Sequence, residues 1–131
     1  MKKIFALLLT AFVALCANEL KFGTAANYPP FEYIDENNKI TGFDIELIDE
    51  ISKRAGFSYK IINMGFDGLI PALKAGKING IISAMSATSD RLKSIDFTKP
   101  YYLTENLYLK KKDNNALKAK EELADKRVGV Q

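Results

Sequence analysis

The sequence predicts an α/β domain with a largely parallel sheet, and three observations carry that prediction. Strand-like and helix-like segments alternate from residue 57 to residue 83. The longest helical segment has charge and capping signals at both ends. The chain has 131 residues, 47% hydrophobic and 27% charged, which suits one compact core and not a disordered or fibrous chain.

"LKFGTA" (residues 20–25) reads as a short strand. "YPPFEYIDENNKITGFD" follows with two prolines and the polar cluster "DENN". This is a break and then a hairpin, with "FEYI" paired to "KIT" around a turn at residues 35–38. Over residues 43–55 the apolar Ile45, Ile48, Ile51 and Ala55, with Leu47 beside them, recur at near-helical spacing. Asp44 and Glu46 fall in the first turn, Lys53 and Arg54 in the last, and Gly56 follows, an order that suits the helix dipole and a glycine C-terminal cap. "FSYKII" (57–62) is a second strand. "DGLIPALKAG" (67–76) is a helix with Pro71 in its first turn, and "INGIIS" (78–83) is a third strand. Beyond it lie the short helical "SDRLKS", the strand-like "IDFT", the punctuation "KPYY", the strand "NLYLKKK" and a charged helix over about 116–124. "RVGVQ" opens a strand with no partner after it, as in a truncated chain.

Residues 1–17 have the build of a secretory signal peptide: Lys2 and Lys3, an apolar run over residues 4–15, then small residues. A membrane-spanning helix needs roughly 20 apolar residues, more than this run offers. Cleavage is expected after Ala17. The alternative is a lipoprotein acylated at Cys16, which the bulky Leu15 disfavours. Loss of Cys16 leaves no thiol, so no disulfide is expected to hold the exported chain. Loss of Lys2 and Lys3 leaves 17 basic against 16 acidic side chains, a net charge of +1. No nucleic-acid partner is expected from so balanced a surface, since Lys110, Lys111 and Lys112 are offset by nearby acids.

The chain has no histidine, which excludes imidazole-based nucleophile activation and, with Cys16 gone, most transition-metal sites. "KAGKING" lacks the spacing of a phosphate loop. No metal or cofactor is expected. Asp44, Asp67 and Asp96 can in principle do acid-base work, but each reads first as a helix start or loop cap.

A small-molecule binding site is what remains. Ligands meet α/β sheets at the carboxyl ends of their strands, and "GIIS" delivers Ser83 to such an end, followed by "AMSATSDR". Thr88 caps the next helix and places Arg91 at its third position. The Ser86 hydroxyl, the first-turn N–H groups and the Arg91 guanidinium can then make a carboxylate site, with the Ala84 carbonyl and Ser86 oxygen able to face the ammonium of the same α-amino acid. The equal alternative from the residues alone is that Arg91 is a solvated helix residue. Tyr28 and Phe66, each at a strand end, are candidate walls.

"YPPFEYIDENNKITGFDIELIDEI", "FDGLIPALKAGKINGIISAMSATSDR" and "IDFTKPYY" closely resemble the extracellular solute-binding proteins of polar amino-acid ABC importers, over nearly all of residues 19–131. The resemblance implies a periplasmic-binding-protein-like fold of the type II, Venus-flytrap class, whose two lobes close on the ligand. Residues 18–100 would form lobe one, 101–105 the hinge and 106–131 the start of lobe two. It gives Arg91 to the ligand carboxylate with Ser86, the Ala84 carbonyl to the ammonium, Tyr28 and Phe66 to a sandwich, Ser83 to the ligand side chain, and Gln131 to lobe two's first contact. The implied protein is a monomeric, non-enzymatic periplasmic component that passes its amino acid to a membrane permease. Fold-sharing dehydratase-like or murein-cleaving enzymes and sensor modules are the alternatives. Members that bind lysine, arginine or histidine tend to have an acid where this chain has Ala25, so a neutral or acidic amino acid is expected. Half a cleft leaves the Arg91 ion pair wet and worth about 1 kcal/mol or less, so weak binding is expected of this chain alone.

Overall fold

Strand β1 (Leu20–Thr24) lies between β5 (Tyr59–Asn63) and β6 (Gly80–Ile81), parallel to both, in a computed structural model of the chain. The register runs from Leu20 opposite Tyr59 to Thr24 opposite Asn63, and from Phe22 opposite Gly80 to Gly23 opposite Ile81. The structure describes residues 19–131 except 105, 106, 108, 114–117, 130 and 131. The expectations for the leader, Cys16 and Gln131 therefore lie outside the described residues.

Between β1 and β5 the chain forms a small antiparallel sheet and a helix. Its strands are β2 (Asn27–Tyr28), β3 (Glu32–Ile34) and β4 (Ile40–Thr41). The predicted hairpin is β3–β4, with Asp35 Oδ1 accepting from the N–H groups of Asn37 and Lys39 and so closing the turn. Strand β2 adds a third member that the two prolines had obscured.

Helix α1 spans Phe43–Ala55, as the charge order and Gly56 predict. Gly56 adopts φ 72 and its N–H reaches the Ser52 carbonyl, a left-handed cap. At the other end Phe43 and Asp44 donate their N–H groups to the Pro30 and Phe31 carbonyls, so the preceding loop satisfies the helix's open donors. The buried stripe of α1 is Asp44, Ile48 and Ser52, while Ile51 and Ala55, expected on the inner face, are exposed. Polar partners inside the protein have turned the helix away from the face its apolar spacing marks.

Helix α2 (Phe66–Lys74) covers one face of the sheet, and its Leu69 is fully buried with Ile78 and Ile82. Pro71 is the sixth residue of α2, in its second turn and not its first. The close approach depends on Gly23, where a Cβ would lie 2.6 Å from Ile78 and 2.9 Å from Leu69. Helix α3 (Ser89–Leu92) follows β6, with Thr88 as its N-cap.

The chain divides into two compact units between Phe97 and Thr98. In the second, a single 3₁₀ turn (Lys120–Leu123) stands within the predicted 116–124 helix. "IDFT", which ends the first unit and crosses the boundary, and in the second unit the described parts of "NLYLKKK" and "RVGVQ" form no strand. A strand exists by pairing, and the described residues of this unit offer no ladder to join.

Candidate functional site

The carboxyl ends of β1, β5 and β6 bring three loops to one edge of the sheet. Two side chains lock them. Asn63 Oδ1 accepts from the Ala26 N–H at 3.0 Å, and the Ser83 Oγ accepts from the Ala25 N–H at 2.9 Å. The loop after β1 is thus tied to both neighbouring strand ends.

The loop after β6 supplies the predicted clamp. The Thr88 Oγ1 accepts from the Arg91 N–H at 3.4 Å, which sets Arg91 at the third helical position as predicted. The Arg91 side chain folds back, its Nη1 donating to the Ser86 carbonyl at 3.0 Å and its guanidinium lying 5.0 Å from the Phe66 ring centroid. Ser86, Arg91 and Phe66 are therefore brought together. Five guanidinium donors minus one leave Arg91 with N–H groups for an anion.

Tyr28 lies on β2, half exposed, its ring stacked on Phe31 at 5.7 Å and 14°. Its ring thus has an aromatic backing. Ala84 is half-buried at φ 42, in the left-handed region that non-glycine residues enter at a cost. Ser83, expected beside the ligand side chain, is only 3% exposed and its hydroxyl is engaged twice, so it supports the site from below.

Two carboxyl groups that the sequence reading did not place in the site lie beneath it. Ser83 Oγ donates to Glu32 Oε1 at 2.8 Å, and the Ala84 N–H donates to Asp44 Oδ2 at 2.7 Å. Glu32 and Asp44 are 1% and 0% exposed. Burial pushes the Glu32 carboxyl from 4.5 up to about 7; the Ser83 hydroxyl partly offsets this, and the neighbouring Asp44 carboxyl adds to it. Glu32 therefore keeps its proton well above the usual carboxylate range. Asp44 was legible as a helix start, which it is. Glu32 had a faint signal, a lone acid inside the aromatic strand "FEYI".

A groove of about 690 Å³ lies elsewhere, lined by Met64, Pro71, Ile78, Lys21, Lys60 and other residues, and contains none of the clamp. Among the described residues no cluster of three carboxyl or thiol groups is placed to hold a metal, and no helix is long and apolar enough to cross a membrane.

The profile of the bacterial extracellular solute-binding proteins, family 3, matches residues 20–127. A probable histidine-binding protein of Campylobacter jejuni is 55% identical over 112 residues, covering 86% of this chain and 43% of that protein. The ABC transporter arginine-binding protein 1 of Escherichia coli K12 is 41% identical over 132 residues, covering 99% and 54%. Among solved structures, the arginine-bound form of domain 1 from TmArgBP of T. maritima superposes with a TM-score of 0.62 at 49% identity, covering 64% of this chain and 67% of that one. The chain spans about half the length of the curated relatives it matches. All of these are binding proteins and none is an enzyme.

Proposed function

The chain belongs to the bacterial extracellular solute-binding proteins, family 3, and from that premise we propose that it binds a basic α-amino acid, arginine or histidine, for an ABC importer. The observation that carries the reading is the clamp itself: the Arg91 guanidinium over Phe66, beside the Ser86 carbonyl, at the carboxyl edge of a parallel sheet. Arg91 meets the ligand carboxylate, Ser86 its head group, the Ala84 carbonyl its ammonium, and Phe66 and Tyr28 its flanks. Export to the periplasm and delivery to a membrane permease belong to the same reading, with residues 18–100 as lobe one, 101–105 as hinge and 106–131 opening lobe two.

The expectation of a neutral or acidic ligand is corrected by the relatives, which are named for histidine and arginine.

The arginine-bound domain 1 weighs against the idea that half a cleft retains nothing, and it makes a direct test on this chain sensible. Arginine, histidine, lysine, glutamine and glutamate are titrated into the 131-residue chain by nuclear magnetic resonance. Arginine or histidine should shift the Ser86 and Arg91 amides at the lowest concentration. Tighter binding of glutamate or glutamine would overturn the basic-ligand reading.

A further inference from the structure

Ala84 occupies a backbone region that its Cβ disfavours, in the middle of the proposed clamp. Something must hold it there. Its N–H donates to Asp44, whose carboxyl is fully buried, and the preceding Ser83 donates to Glu32, which is 1% exposed. Neither carboxyl is open to bulk solvent. The contributing groups come from four separate segments: Ala25 after β1, Glu32 in β3, Asp44 at the start of α1, and Ser83 with Ala84 after β6.

We propose that Asp44 and Glu32 are positioning residues for the amino-acid clamp, holding Ser83 and Ala84 in the turn from which Ser86 and Arg91 meet the ligand. The proposal rests on reading this loop as an amino-acid clamp. Asp44 is the second residue of α1, where the helix dipole favours its charge. Glu32 Oε2 is buried with no hydrogen-bond partner among the described residues, a place where the carboxyl can keep its proton, and the Asp44 carboxyl acts on the same group. The groups acting on Glu32 are the Ser83 hydroxyl from the segment after β6 and the Asp44 carboxyl from α1; β1 reaches the network only through the uncharged Ala25 N–H. Loss of the proton puts two anions side by side in a dry site. The grip on Ala84 then weakens as pH rises through about 7.

The test compares wild type, Asp44→Ala, Asp44→Asn and Glu32→Gln, reading the protection factor of the Ala84 amide and the arginine affinity at pH 6 and pH 8. Asp44→Ala should lower protection about tenfold and affinity about fivefold or more. Asp44→Asn, which keeps an acceptor for the Ala84 N–H, should restore both to within about threefold. Glu32→Gln, neutral beside Asp44 at every pH, should match wild type at pH 6 and hold the loop at pH 8, where wild-type protection drops about threefold. The proposal is overturned if Asp44→Ala leaves protection within twofold, or if Glu32→Gln and wild type share one pH profile. The second comparison decides the matter if Asp44→Ala does not fold. A wild-type chain that binds no arginine would sink the ligand reading alone, because Ala84 protection still reports whether the pair holds the turn.

Discussion

Replacing Glu32 with glutamine should remove a pH dependence from the stability of the fold. The wild-type carboxyl titrates near 4.5 when unfolded and near 7 when folded, chiefly because burial penalises its charge. Its folded value is raised, so the native state holds a proton that the unfolded chain releases between those two values. The stability tied to that proton is fully present below 4.5 and is lost as pH climbs to about 7. At about 1.4 kcal/mol per tenfold change in proton activity, the interval amounts to about 3 kcal/mol. Glutamine can accept from Ser83 Oγ and stay neutral beside Asp44 at every pH, as the protonated acid does. Urea denaturation followed by circular dichroism, at half-unit steps from pH 4.5 to 8, gives the difference in stability between the two chains. Subtraction cancels the carboxylates that do not interact with Glu32, so the difference reports Glu32 together with its neighbour Asp44. The variant should gain on wild type by about 3 kcal/mol across the window and level off above it. A difference curve flat to within about 0.5 kcal/mol would show that Glu32 is not titrating as a buried acid, and the retained proton would have to be abandoned.

Two further substitutions probe the clamp and its frame. Arg91→Lys keeps the charge but loses the planar fork and its seat on Phe66, so arginine affinity should fall about tenfold by calorimetry while the melting temperature moves by less than about 2 °C. Gly42→Ala should cost at least about 2 kcal/mol in urea denaturation: Gly42 sits at φ 122, and a Cβ there would strike the Phe31 carbonyl and lie 2.8 Å from that of Pro30, the two acceptors for the start of α1. A loss below about 0.5 kcal/mol would mean the loop yields freely.

Local signals carried much of the first unit. Asp44, Glu46, Lys53, Arg54 and Gly56 place the ends of α1 because helix ends obey rules that act within one turn. The turn at Asp35 was legible for the same reason. The Thr88 cap that sets Arg91 at the third position of α3 was legible too, since the two are only three residues apart. What escaped was fixed at long range. Ser83 meets Ala25 across 58 residues and Glu32 across 51, and no periodicity announces such a meeting. The burial of Asp44 and Ser52 beside the expected Ile48 was hidden for a related reason, because a hydrophobic pattern ranks Ser52 outward while its place in the packing turns it in. In the second unit the strand-like composition near Leu107 and Leu109 was read correctly as composition and wrongly as structure, there being no paired neighbour among the described residues.

Phe66 does two jobs at once in this arrangement. One part of its surface has the Arg91 guanidinium over it. An arginine side chain carries about 2 kcal/mol of rotamer freedom, part of which the ring and the Ser86 carbonyl have removed before any ligand arrives. The ring therefore works as a jig for its neighbour, and in the proposed clamp a ligand bearing its own guanidinium would find part of that ring taken and would turn to Tyr28, which is stacked on Phe31.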